Sequence, residues 1–166
     1  MNLSEAVLKY YTMKFVLLPS SVPSVAKKIK AEMKDVREKV WLSIASIGVD
    51  RMLHFDSPME LAGTLDLLHD TGRFFGIDWR RRTTSKSDPT KKAGDIGTMA
   101  IKKVNDMVKG TTGGEKAFQN LMTGRVALWS CKGKLYNDGF GNWRTIYAED
   151  VVGLRLSGNV IDIKVG

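Results

Sequence analysis

Val151-Val-Gly-Leu-Arg-Leu-Ser-Gly-Asn-Val-Ile-Asp-Ile-Lys-Val165 is the stretch on which the fold class turns. Two β-branched runs, Val151 to Leu156 and Val160 to Val165, flank Ser157-Gly-Asn159. A Gly-containing link this short between alternating apolar runs predicts a tight antiparallel hairpin. The same texture extends back to Arg125. Val126 to Ser130, Lys134 to Tyr136 and Trp143 to Tyr147 read as further strands, punctuated by Asn137-Asp-Gly139 and Gly141-Asn142.

Upstream of Arg125 the apolar period lengthens to that of helices. Pro23 suits a first helical turn, and Val25, Ile29, Met33, Val36 and Val40 follow at spacings of 4, 4, 3 and 4. Lys27, Lys30, Lys34 and Arg37 lie about 120° away around the wheel, a solvated face balanced by Glu32, Asp35 and Glu38. The pattern leaves the end of this helix open, because Val40, Leu42 and Ile44 also alternate as a strand would. Ser57-Pro-Met-Glu60 has the form of a capping box, with Leu61, Leu65 and Leu68 as the buried stripe up to Gly72. Asp88-Pro89 predicts another helix start, with Ile96, Ala100, Val104 and Met107 inward, and Glu115 to Met122 a short helix. One early strand is expected at Tyr10 to Leu18, where Tyr11, Met13, Phe15 and Leu17 alternate with Tyr10, Thr12, Lys14 and Val16. Ser4 to Lys9 would lead into it. The expected architecture is α+β: an antiparallel sheet of that early strand and the C-terminal strands, packed against three to four helices.

At 166 residues, with 43% hydrophobic and 27% charged side chains, the chain suits a single domain over 1–166 with its own core. Thr111-Thr-Gly-Gly114 interrupts the pattern and marks a candidate hinge over 110–114. No run approaches the roughly 18 apolar residues of a membrane span, and no secretory signal is expected. Membrane contact would then be peripheral. One cysteine, Cys131, and two histidines, His54 and His69, offer no metal-ligand spacing, so neither metal nor cofactor is expected.

Charge is distributed unevenly. The net +8 divides into 0 over residues 1–72, +6 over 73–109 and +2 over 110–166. The excess centres on Ile77-Asp-Trp-Arg-Arg-Arg-Thr-Thr-Ser-Lys-Ser-Asp-Pro-Thr-Lys-Lys92, a segment too polar for a core. An exposed basic loop over 79–92 is therefore expected. Arg80, Arg81, Arg82, Lys86, Lys91 and Lys92, with Lys102 and Lys103 beyond, are the candidate contacts to phosphate, anionic lipid or an acidic protein. Phe75 and Trp79 are the candidate stacking or interface aromatics.

Catalytic motifs are missing. Gly113-Gly-Glu-Lys116 fails as a phosphate loop because Ala117 stands where Ser or Thr must follow. Gly139-Phe-Gly141 sits between strands, without the helix that a dinucleotide fingerprint opens. His69, closing a capped helix, suits the C-terminal dipole better than a general base with no nucleophile to serve. Cys131 reads as a semi-buried, inert thiol. The expectation is a protein with no small-molecule substrate and no enzymatic activity, either a nucleic-acid-binding domain or an assembly protein.

Lys9-Tyr-Tyr-Thr-Met-Lys-Phe-Val-Leu17, the break Pro19-Ser-Ser-Val-Pro23, and the helix beginning Ser24-Val-Ala26 resemble the start of the folded domain of rhabdovirus matrix proteins, over about 25 residues. The resemblance implies a structural protein that self-associates, lies against the inner face of a viral envelope and condenses a nucleocapsid. On that reading the protein belongs to the virion and the host cytoplasm, and the basic loop contacts anionic lipid or nucleoprotein; otherwise an intracellular protein is expected.

Overall fold

The computed structural model describes residues 2–47, 52–103, 114–131 and 141–166. The strand expected at Lys134 to Tyr136, the candidate hinge at 110–113, Val104 and Met107 lie outside them.

Helices pack on a seven-stranded mixed sheet. The helices are α1 (Leu3–Thr12), continued by a π-helical turn (Met13–Leu17), α2 (Pro23–Ala45), α3 (Pro58–Asp70) and α4 (Gly114–Met122). The strands are β1 (Met52–Phe55), β2 (Phe75–Arg80), β3 (Ile96–Ile101), β4 (Arg125–Cys131), β5 (Gly141–Tyr147), β6 (Val151–Leu156) and β7 (Asn159–Val165). Their order across the sheet is β1-β7-β6-β2-β3-β4-β5. Among the described residues only β1, parallel to β7, departs from antiparallel pairing.

The α+β class is as expected, and the C-terminal hairpin forms with Leu156 opposite Asn159. Its two linking residues, Ser157 and Gly158, both take positive φ (50° and 78°), which matches the right-handed twist of the strands. The capping box forms in modified shape. Ser57 Oγ accepts from Glu60 N–H at 3.2 Å, while Glu60 Oε2 accepts from Asp56 N–H at 3.1 Å rather than from the cap residue.

Two expectations are corrected, and one boundary left open is settled. Tyr10 to Leu17 is helical, with Leu18 in the turn that follows, and the early strand is instead Met52–Phe55. Tyr10 and Tyr11 are adjacent and both buried, which a strand with one covered face does not allow. The helix begins at Asn2, whose side chain accepts from Glu5 N–H at 2.8 Å, so Ala6, Val7, Tyr10 and Tyr11 form one inward stripe. Second, Asp88-Pro89 starts no helix. Asp88 Oδ1 instead accepts from Thr90 N–H and Oγ1–H, a local turn, and β3 follows with Gly97, Met99 and Ile101 buried and Ile96, Thr98 and Ala100 exposed. The open end of α2 is settled as helix to Ala45: Leu42 is 62% exposed between buried Val40 and Ile44.

α3 is the central helix, buried on nearly every side, with α1 and α2 packed on it and β4 beneath. Gly63 permits the approach of α1. A Cβ there would stand 2.7 Å from Tyr11 Cε2 and 2.9 Å from Val7 Cγ1.

Candidate anion-binding cleft

The basic segment divides between the end of β2 and the loop that leads to β3. The loop is built by its own backbone. Arg81 N–H donates to Asp95 O (2.9 Å) and Gly94 N–H to Arg81 O (2.8 Å) at its neck, and Ser85 N–H donates to Lys91 O (2.9 Å) further out. At the neck, Trp79 lies opposite Gly97, and the Arg81 guanidinium stacks 4.8 Å above the Trp79 ring. A Cβ on Gly97 would come within 2.9 Å of Arg81 Nη2, so glycine makes room for the stack.

Arg82 turns the other way. Its guanidinium donates to Glu149 and Asp150 and lies 4.0 Å over the Tyr147 ring, which Arg125 also approaches at 5.5 Å. Between this clamp and the loop opens a cleft of ≈ 840 Å³, floored by β3 and walled by β4 and β5. Its described lining carries Arg81, Arg82, Lys86, Lys91 and Arg144 against one carboxylate, Asp150. A recess with that imbalance draws phosphate or carboxylate groups, and the Arg81 guanidinium, stacked on Trp79, presents its N–H edges to them, whereas those of Arg82 are taken by Glu149 and Asp150.

The expected residues are therefore sorted rather than gathered. Arg81, Arg82, Lys86 and Lys91 line the cleft together with Trp79. Arg80, exposed at the end of β2, reaches Gly94 O at 3.5 Å, and Lys92 is exposed on the loop. Lys102 and Lys103 are at the far end of β3: Lys102 Nζ sits 4.7 Å over the Phe74 ring, and Lys103 Nζ binds Asp70 Oδ1 at 3.0 Å. Phe75 is only 4% exposed and meets Trp41 edge-on, so it is core and not a stacking surface. The expected basic face is thus shorter than residues 79–103. In exchange Arg144 and Tyr147 join the cleft from β5, with Arg125 of β4 against the Tyr147 ring, placed by the register that sets Leu128 opposite Arg144 and Arg125 opposite Tyr147. Nothing local in the sequence marks them; only strand pairing does.

A second charged group lies between α1 and α3. Lys14 Nζ binds Asp66 Oδ2 (2.7 Å) and Asp70 Oδ2 (2.8 Å), Tyr10 O–H donates to Asp70 Oδ2 (2.8 Å), and Arg37 Nη1 donates to Tyr10 Oη (3.1 Å). Burial works against the Asp70 carboxylate, but Lys14 and Lys103 beside it hold it well below its usual range. Burial likewise opposes the Lys14 charge, and Asp66 and Asp70 overcome it and raise its pKa. Every member is partnered, which is the condition for a structural ion network.

His69 corrects its expected role. Burial pushes its pKa down to about 4, so the neutral ring makes no use of the helix dipole. Nε2 accepts from Trp129 N–H at 3.1 Å, just where β3 has ended and Lys102 N–H still donates to Trp129 O at 3.2 Å. The imidazole completes a strand ladder. Cys131, half-buried in the cleft wall, has its thiol pKa raised by burial despite Lys102 nearby, in keeping with an inert thiol.

Among the described residues no helix is long and apolar enough to cross a membrane, and no group of three or more His, Cys, Asp or Glu could hold a metal ion. No protein-family model matches the chain, and no curated protein or solved structure is significantly similar to it.

Proposed function

We propose that this chain is a non-enzymatic binding protein whose basic cleft takes a single-stranded nucleic acid. The observation that carries the reading is the cleft lining: five cations to one carboxylate, two of those cations, Arg81 and Arg82, being guanidiniums stacked on Trp79 and Tyr147. Phosphates would engage Arg81, Lys86, Lys91 and Arg144, whereas Arg82 is held by Glu149 and Asp150 and serves as a wall. Four phosphate contacts give a slope of log affinity against log salt of about −3 for a single strand. Titrating a labelled single-stranded RNA at several salt concentrations tests this. A chain that binds no RNA or DNA at low salt would end the reading.

A second reading, a matrix-like assembly protein, is favoured by a separate apolar groove beside α1. Such a protein would associate with its own copies, lie on the inner face of an anionic envelope in the virion and host cytoplasm, and hold nucleoprotein through the same cleft. Weak contacts repeated over a lattice add up, so each copy could bind feebly and the array strongly. Pelleting with anionic but not neutral vesicles separates this reading from the first.

A further inference from the structure

In a chain of net charge +8, one groove contains no cation among its described lining residues. It encloses ≈ 390 Å³ between α1, the start of α3 and α4, and its only charged members are Asp56 and Glu60. Its walls are large apolar side chains left open to solvent, with Leu8 67% exposed and Val16, Met59 and Met122 also exposed. Tyr11, 9% exposed, lines the groove, and its hydroxyl is buried with no hydrogen-bond partner among the described residues. Water gains nothing from such a surface, and contiguous apolar patches of this kind mark contact sites.

The complementary piece lies in the same chain. Val22 (60% exposed) and Val25 (44%) stand out from the start of α2, flanked by exposed Lys27, Lys28 and Lys30. This helix start is also incomplete: no side chain caps it and no acidic residue occupies its first turn. Asp56, at the groove rim, is an exposed carboxylate of the kind that first-turn N–H groups and the positive end of a helix attract.

We propose that the groove formed by α1, α3 and α4 is the docking site for a second copy of this chain, which inserts Val22 and Val25 from the start of its α2. Apolar side chains fill the groove, the lysines face Asp56 and Glu60, and Asp56 caps the incoming helix. Groove and ridge are different surfaces, so the contact is head-to-tail and can propagate into an array. It supplies the self-association that the assembly reading requires and rests on that reading, independently of the cleft.

The test uses the full chain in sedimentation velocity over a wide concentration range. Wild type associates as concentration rises. Leu8→Glu destroys the groove and Val25→Glu the ridge. Both positions are exposed, so each variant keeps the wild-type unfolding midpoint, and each alone is monomeric. Mixing the two restores a dimer, because one retains an intact ridge and the other an intact groove. Asp56→Ala weakens wild-type association about tenfold, through loss of the cap together with its charge. A wild type monomeric at every concentration overturns the proposal, as do variants that still associate or a mixture that stays monomeric. A monomer whose groove takes up a fluorescent fatty acid would assign the groove to an acyl chain instead. RNA binding by a strictly monomeric protein would leave the cleft reading standing while this one fell.

Discussion

His69 shows how a single residue type divides between charge and structure. Its folded pKa of about 4 lies below the ordinary 6.5, so between those values the unfolded chain binds the extra proton. The stabilisation is complete above pH 6.5 and is lost as pH falls towards 4, by about 3 kcal/mol in all. Asp70, held below its ordinary 3.8, prolongs the decline at lower pH. Urea unfolding at a series of pH values should show this acid-side loss in the wild type. His69→Phe should lower stability at pH 7 by about 2 kcal/mol, because Trp129 N–H loses its acceptor, and should flatten the profile between pH 6.5 and 4. At Lys14, replacement by Met leaves Asp66 and Asp70 facing each other without their shared cation. The expected loss in the same assay is about 3–5 kcal/mol. Neither residue could be assigned these partners from sequence, since His69 and Trp129, like Lys14 and Asp66, are far apart in the chain.

At the level of elements, α3 and the β6–β7 hairpin were legible because their signals are local: a Ser57 cap with Pro58 at its first turn, and a two-residue turn between alternating strands. α1 and β3 were not. Tyr10 to Leu18 alternates as a strand would, and packing of α1 against α3 overrides that local pattern. Gly63 records that packing. Gly63→Ala would ordinarily favour a helix by about 1 kcal/mol, but here the new methyl meets the Tyr11 ring. A net loss of about 1–2 kcal/mol is expected by chemical unfolding. The β2–β3 loop bears on the cleft directly. Lys86 and Lys91 are exposed and line it, so Lys86→Glu with Lys91→Glu should weaken RNA binding more than tenfold with stability held within about 0.5 kcal/mol. Arg82→Glu is a poor probe of binding by comparison, because it sets a third carboxylate against Glu149 and Asp150.

For the whole molecule, two surfaces of opposite character follow from one uneven distribution of charge. Among the described lining residues, the cleft of the basic loop and β5 carries one carboxylate and the groove beside α1 carries no cation. Raising salt should therefore weaken RNA binding steeply while leaving the largely apolar self-contact much less affected, which RNA titration and sedimentation in matched buffers would compare. The sequence by itself determined the α+β class, the capped helix at Pro58, the strands near Val126, Trp143, Val151 and Val160 and the segment that carries the excess charge, because each is written in neighbouring residues. Only the tertiary structure decided which cations share a cleft, that Phe75 is core, that Arg144 and Tyr147 belong to the site, and that α1 is a helix. Those outcomes depend on strand register and on contacts between distant segments, and a local pattern holds no information about either.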